Sequence, residues 1–93
     1  MSAQPTTRQV IVNHAAGLHA RPCLAIVTTV RRYRSKVMLR SGDSEADAGD
    51  ILQVMSLGVP QGSQVTLSAV GPDADDVLGT LERLFADDFG FND

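Results

Sequence analysis

Tryptophan is absent, and aromatic residues make up only 4% of the 93 residues. A core must therefore be assembled from Val, Leu, Ile, Ala and Met. Cysteine occurs once, as Cys23. That excludes an internal disulfide and is compatible with a reducing compartment. No run approaches the roughly 18 consecutive apolar residues of a membrane span, and Met1-Ser2-Ala3-Gln4-Pro5-Thr6-Thr7 lacks the apolar centre of a secretory leader. Basic residues are outnumbered, 8 Lys and Arg against 11 Asp and Glu, for a net charge of −3. A nucleic-acid partner, which would want a basic face, is not expected. There is no nucleotide-binding glycine loop, no cofactor motif, and too little chain for a deep pocket. These absences leave one soluble cytoplasmic domain, taken as a monomer, in which 43% hydrophobic residues supply a modest core.

What is present is a clear alternation of patterns. Residues 1–6 are a polar lead expected to be loose. Arg8 to Asn13 is β-branched and predicts a strand with Val10 and Val12 on its buried face. A helix is predicted from Ala20 to Arg32, with Cys23, Ile26, Val27 and Val30 in one apolar stripe. Leu24 falls outside that stripe. Lys36–Ser41 predicts a strand with Val37 and Leu39 inward. Ser41-Gly42-Asp43 is a turn, and Ser44–Ala48 a weak returning strand suited to a sheet edge. Asp50 is placed to cap a short helix reaching Leu57. Val54 and Leu57 suit its core side, Leu52 and Met55 are left partly exposed, and Ile51 fits either role. Gln64–Val70 alternates with Val65, Leu67 and Ala69 inward. Asp73 is placed to cap a last helix whose stripe is Val77, Leu78, Leu81, Leu84 and Phe85. The tail 87–93, acidic with two phenylalanines, either frays or covers part of the surface. The order is β-α-β-β-α-β-α, an α+β chain forming a single domain over 1–93.

Chemistry concentrates in Gly17-Leu18-His19-Ala20-Arg21-Pro22, where a strand gives way to a helix. The opening turn of a helix has backbone N–H groups without acceptors and carries the positive end of the dipole, so it suits an anion. Gly17 permits a positive φ or a close backbone approach. Leu18 can anchor the loop. Pro22 sits where its missing N–H costs nothing. Arg21 offers a permanently charged fork of donors for phosphate oxygens. Imidazole, with an ordinary pKa of about 6.5, is the nucleophile available near neutral pH, which singles out His19. His14, His19 and Cys23, five and four residues apart, would be the ligands of a metal site. They lack a fourth partner at zinc-like spacing, so no metal is expected.

The hexapeptide resembles the active-site signature of the HPr family, the histidine-containing phosphocarriers of the bacterial phosphoenolpyruvate-dependent sugar phosphotransferase system. Ile51-Leu52-Gln53-Val54-Met55-Ser56-Leu57-Gly58 is similar to that family's second signature. The resemblance runs from about Arg8 to Phe85. It implies an open-faced β-sandwich: a four-stranded antiparallel sheet, order 1-4-2-3, with three helices on one face. It implies that enzyme I passes a phosphoryl group to Nδ1 of His19. From there the group goes to A-type sugar-specific components, with Arg21 and the amides of Ala20 and Arg21 holding the oxygens. Leu24, Ile51, Leu52 and Met55 would then form the docking surface. Such a carrier relays a group rather than turning over as an enzyme. A regulatory module of the same fold, in which the state of His19 controls protein partners, is the competing expectation. Asp50 stands where many relatives carry a phosphorylatable serine, and is read either as a plain cap or as a partial mimic of that phosphate. Ala16 stands where relatives often carry Asn or Ser, which removes a possible hydrogen bond from the loop.

Overall fold

The structure, a computed structural model, describes residues 4–90. Strand β1 spans Thr6–Ile11, helix α1 Ala20–Val30, β2 Lys36–Ser41 and β3 Ser44–Asp47. Helix α2 spans Ile51–Ser56, β4 Gln64–Val70 and α3 Ala74–Ala86, followed by a 3-10 turn at Asp88–Gly90. The four strands form one antiparallel sheet in the order β1-β4-β2-β3. Fold and strand order agree with those implied by the resemblance.

Alternation decides which sheet face is dry. Side chains two apart on a strand share a face. Val37 and Leu39 of β2, and Val65, Leu67 and Ala69 of β4, are almost wholly buried. Against them lie the helical stripes: Cys23, Ile26, Val27 and Val30 of α1, and Val77, Leu78, Leu81 and Phe85 of α3. Leu84 is only partly buried at the margin of that core. Each fully buried Val or Leu contributes on the order of 1.5–3 kcal/mol relative to an exposed one.

Several boundaries differ from those read off the pattern; β3 ends at Asp47 and α2 at Ser56, each one residue early. Strand β1 begins at Thr6, not Arg8, and ends at Ile11. Thr6 and Thr7 are polar and give no apolar alternation, but pair with Ala69 and Ser68 of β4. The lead is thus ordered from Thr6, while residues 1–3 lie outside the described part. Helix α1 stops at Val30, because the amides of Arg32 and Tyr33 bond only three residues back, to Thr29 and Val30. That tightens the last turn into 3-10 geometry. In the tail, Phe89 is buried, edge-on to Phe85 with ring centroids 4.9 Å apart. It covers the end of the core rather than fraying; Phe91 lies outside the described residues.

Asp73 precedes α3 but does not cap it with its side chain. Its carboxylate accepts from the Ser35 hydroxyl at 2.6 Å and from the amides of Ser35 and Arg34, both at 2.9 Å. The Ser35 hydroxyl accepts in turn from the Asp73 amide. Gly71 makes this approach possible: a Cβ there would lie 2.6 Å from the Ser35 Cα. The Ser35 hydroxyl, then the Arg34 amide, hold the Asp73 carboxyl below the usual carboxylate range. A carboxyl held low in the folded state stabilises it fully above the ordinary value of about 4. That contribution is lost as pH falls through the folded-state value. Asp73→Asn should therefore be less stable than wild type at neutral pH, with the gap narrowing as pH drops below about 4. Urea midpoints at pH 7 and pH 3 measure this, and a gap of constant size would refute it.

Candidate functional site

The loop between β1 and α1 is held from several sides. The Val12 amide donates to the Ser63 carbonyl at 3.0 Å, and the Gly62 amide to the Val12 carbonyl at 2.8 Å. The Gly17 amide donates to the His14 carbonyl at 2.8 Å, and the Leu18 amide to the Val59 carbonyl at 2.8 Å. Gly17 uses both of its freedoms: its φ is +71°, and a Cβ would overlap the Val59 carbonyl oxygen. Leu18 is buried, and the Cys23 thiol donates to its carbonyl at 3.6 Å. Cys23 is itself wholly buried, and that burial pushes its thiol pKa up. Such a thiol is a core group and a poor thiolate ligand.

This scaffold sets His19 as the residue just before α1, with an extended backbone at φ −100°. Its carbonyl accepts from the Cys23 amide at 3.0 Å, the first bond of the helix. Its side chain does not cap the helix. Pro22, the third helical residue, has no N–H. The backbone donors that open the turn are therefore those of Ala20 and Arg21. The His19 ring is half-buried, with Nε2 fully covered and without a hydrogen-bond partner. Arg21 is exposed two residues along, on the same opening turn. An imidazole with one nitrogen sealed, beside two amides at a helix's positive end and a guanidinium, can accept a group at its other nitrogen and offset negative charge there.

His14, which the sequence offered only as a metal ligand, adds to this arrangement in another way. It is buried, its Nδ1 accepts from the Ala16 amide at 3.2 Å, and its ring centroid stands 4.8 Å from that of His19. The spacing of the two histidines gave no sign of ring contact, because that contact depends on how the loop folds back.

The remaining residues singled out from the sequence lie on α1 and α2, which pack together. Nε of Arg31, the residue that follows α1, donates to the Gly49 carbonyl ahead of α2 at 3.2 Å. Asp50 caps α2, accepting from the amides of Leu52 at 3.0 Å and Gln53 at 3.2 Å. Val54 is buried and Leu57 partly so, as the pattern predicts. Leu24, Leu52 and Met55 are exposed at 58%, 74% and 44%, large values for apolar side chains in so small a protein. Ile51 is half-buried against the core, so its side chain divides between the two roles left open for it.

This geometry sits within a known family. The family model for the PTS HPr component phosphorylation site matches residues 6–87. The phosphocarrier protein HPr of Treponema pallidum is 38% identical over 82 residues, covering 88% of this chain and 93% of that protein. The phosphoryl donor subunit DhaM of the PEP-dependent dihydroxyacetone kinase of Providencia stuartii is 34% identical over 91 residues. That likeness takes in 98% of this chain but only 19% of the longer subunit. Among solved structures, HPr-C-His from Thermoanaerobacter tengcongensis superposes with a TM-score of 0.89 at 32% identity, covering 94% of this chain and 98% of that one. The family match starts at the first residue of β1 and runs past the end of α3, so it includes every element that places His19, and the chain belongs to the HPr family of phosphotransferase-system phosphocarriers.

Proposed function

We propose that this phosphocarrier relays its phosphoryl group through Nδ1 of His19, from phospho-enzyme I to A-type components of the phosphotransferase system. One observation carries the reading: Nε2 of His19 is covered, so Nδ1 is the ring nitrogen left for an incoming phosphorus. The step balances without a cofactor. Neutral His19 keeps its proton on Nε2 and directs the Nδ1 lone pair at phosphorus. The Nδ1–P bond forms as the N–P bond to the donor histidine breaks, and the electron pair stays on the donor's ring. Transfer onward reverses these roles. The amides of Ala20 and Arg21, with the Arg21 guanidinium, offset the charge on the phosphoryl oxygens.

Leu24, Leu52 and Met55, with the exposed part of Ile51, serve as the apolar surface on which enzyme I and the acceptors dock transiently. Leu52→Glu should raise the KM for this protein in the enzyme I reaction roughly tenfold, the size of a modest interface hot spot. Its melting temperature should be nearly unchanged, because the side chain is 74% exposed. An unaltered KM would remove Leu52 from the docking surface. The capping bonds of Asp50 support reading it as a helix cap rather than a phosphate mimic. The likeness to a dihydroxyacetone kinase subunit adds a second class of acceptor to assay beside the sugar-specific components.

No helix among the described residues is long and apolar enough to cross a membrane, and the proposed site of action is the cytoplasm. The test is incubation with phosphoenolpyruvate and enzyme I, followed by chemical analysis of the labelled protein. An acid-labile, base-stable phosphate supports a phosphohistidine. Failure to label, or an acid-stable ester, refutes the relay.

A further inference from the structure

His14 has no part in the relay as described, yet it is a polar side chain buried beside the reacting ring at 8% exposure. Its local bonds are specific. Nδ1 accepts from the Ala16 amide at 3.2 Å and its carbonyl from the Gly17 amide at 2.8 Å, so the residue closes the turn with both side chain and backbone. An accepting Nδ1 puts the proton of the neutral ring on Nε2. That ring is tilted 54° to the His19 ring at a centroid distance of 4.8 Å, which is aromatic contact.

The His19 ring has little else to orient it. Nε2 makes no hydrogen bond, and the side chain does not cap the helix. A histidine is usually oriented through a bond at its second nitrogen. Here that bond is missing, and a half-turn about Cβ–Cγ would exchange Nδ1 with Cδ2 and Nε2 with Cε1. Ala16 supplies no side-chain donor or acceptor to prevent it. We infer that His14 is a positioning residue whose ring packs against His19 and holds it in the orientation that presents Nδ1. His14 thereby makes the proposed phosphorylation selective for one ring nitrogen. This rests on the relay reading and deepens it.

Two variants separate the ring from the bond it makes. His14→Asn retains an acceptor for the Ala16 amide through an Asx-type turn but removes the ring. His14→Phe retains a ring and loses the acceptor. Each is labelled with phosphoenolpyruvate and enzyme I. After alkaline hydrolysis, Nδ1- and Nε2-phosphohistidine are separated and counted. Wild type and His14→Phe should carry the Nδ1 isomer alone. His14→Asn should carry both isomers and label about tenfold more slowly, since a misplaced nucleophile costs rate. A purely structural role would lower stability without changing the isomer. The Nδ1 isomer alone in His14→Asn, at any rate of labelling, overturns the inference, and so does a mixture in His14→Phe. Either result leaves the relay itself standing. Wild-type protein that takes no label removes both.

Discussion

His19→Ala should take up no phosphate from phosphoenolpyruvate and enzyme I, while folding as the wild type does. The two halves of that result have separate causes. Loss of label follows because the proposed bond is made to the ring itself, and alanine offers no atom in its place. Retention of the fold follows from how little the ring holds. It caps nothing on α1, and its buried Nε2 has no partner to be orphaned by its removal. The bond that starts α1 uses the His19 carbonyl, which alanine keeps. The thermal midpoint should therefore correspond to a change of about 1 kcal/mol or less. Label counted on intact protein, beside a melting curve, checks both halves. Label surviving in the variant would move the acceptor elsewhere and end the reading.

Gly17→Ala should be the most damaging small substitution in the loop. A positive φ costs a non-glycine residue roughly 1–2 kcal/mol by itself. At Gly17 a second term adds to it: the new Cβ would meet the Val59 carbonyl oxygen and the Pro60 Cα, backbone atoms that cannot swing away. The Val59 carbonyl accepts from the Leu18 amide, so moving it breaks a bond of the same loop. The combined loss should be about 2–4 kcal/mol in urea unfolding, with transfer from enzyme I slowed more than tenfold. Gly42→Ala is the control. Its φ is +60°, and a Cβ there meets nothing within 4 Å. It should show only the conformational term and leave transfer alone. Equal losses at the two positions would mean that the contact with Val59 is not what requires glycine.

The faces of the elements were legible because side-chain period is a local property. Val37 and Leu39, or Cys23, Ile26, Val27 and Val30, declare their dry side without reference to any partner. Asp50 was equally plain, since a cap bonds to amides two and three residues away. Gly17 and His19 could be placed because a strand meeting a helix leaves few conformations for the link. Asp73 misled for the opposite reason: it looks like a cap, but its carboxylate is engaged by Ser35, 38 residues earlier. Thr6 and Thr7 carry no strand signal of their own, because they join the sheet only by pairing with β4. His14 pairs with His19 in the sequence only as a possible metal ligand, for a five-residue separation says nothing about two rings packed across a folded-back loop.

Pro22 bears on how long a phosphorylated His19 would last. A third amide at that position would close the cradle around the three oxygens and deepen the well in which the charged group rests. With the proline nitrogen there, the proposed cradle would have two backbone donors rather than three, and the well would be shallower. A group-transfer shuttle has to release its load as readily as it takes it up, and a storage protein does not. On the proposed relay, one missing hydrogen at the first winding of α1 would put this chain on the shuttle's side of that divide.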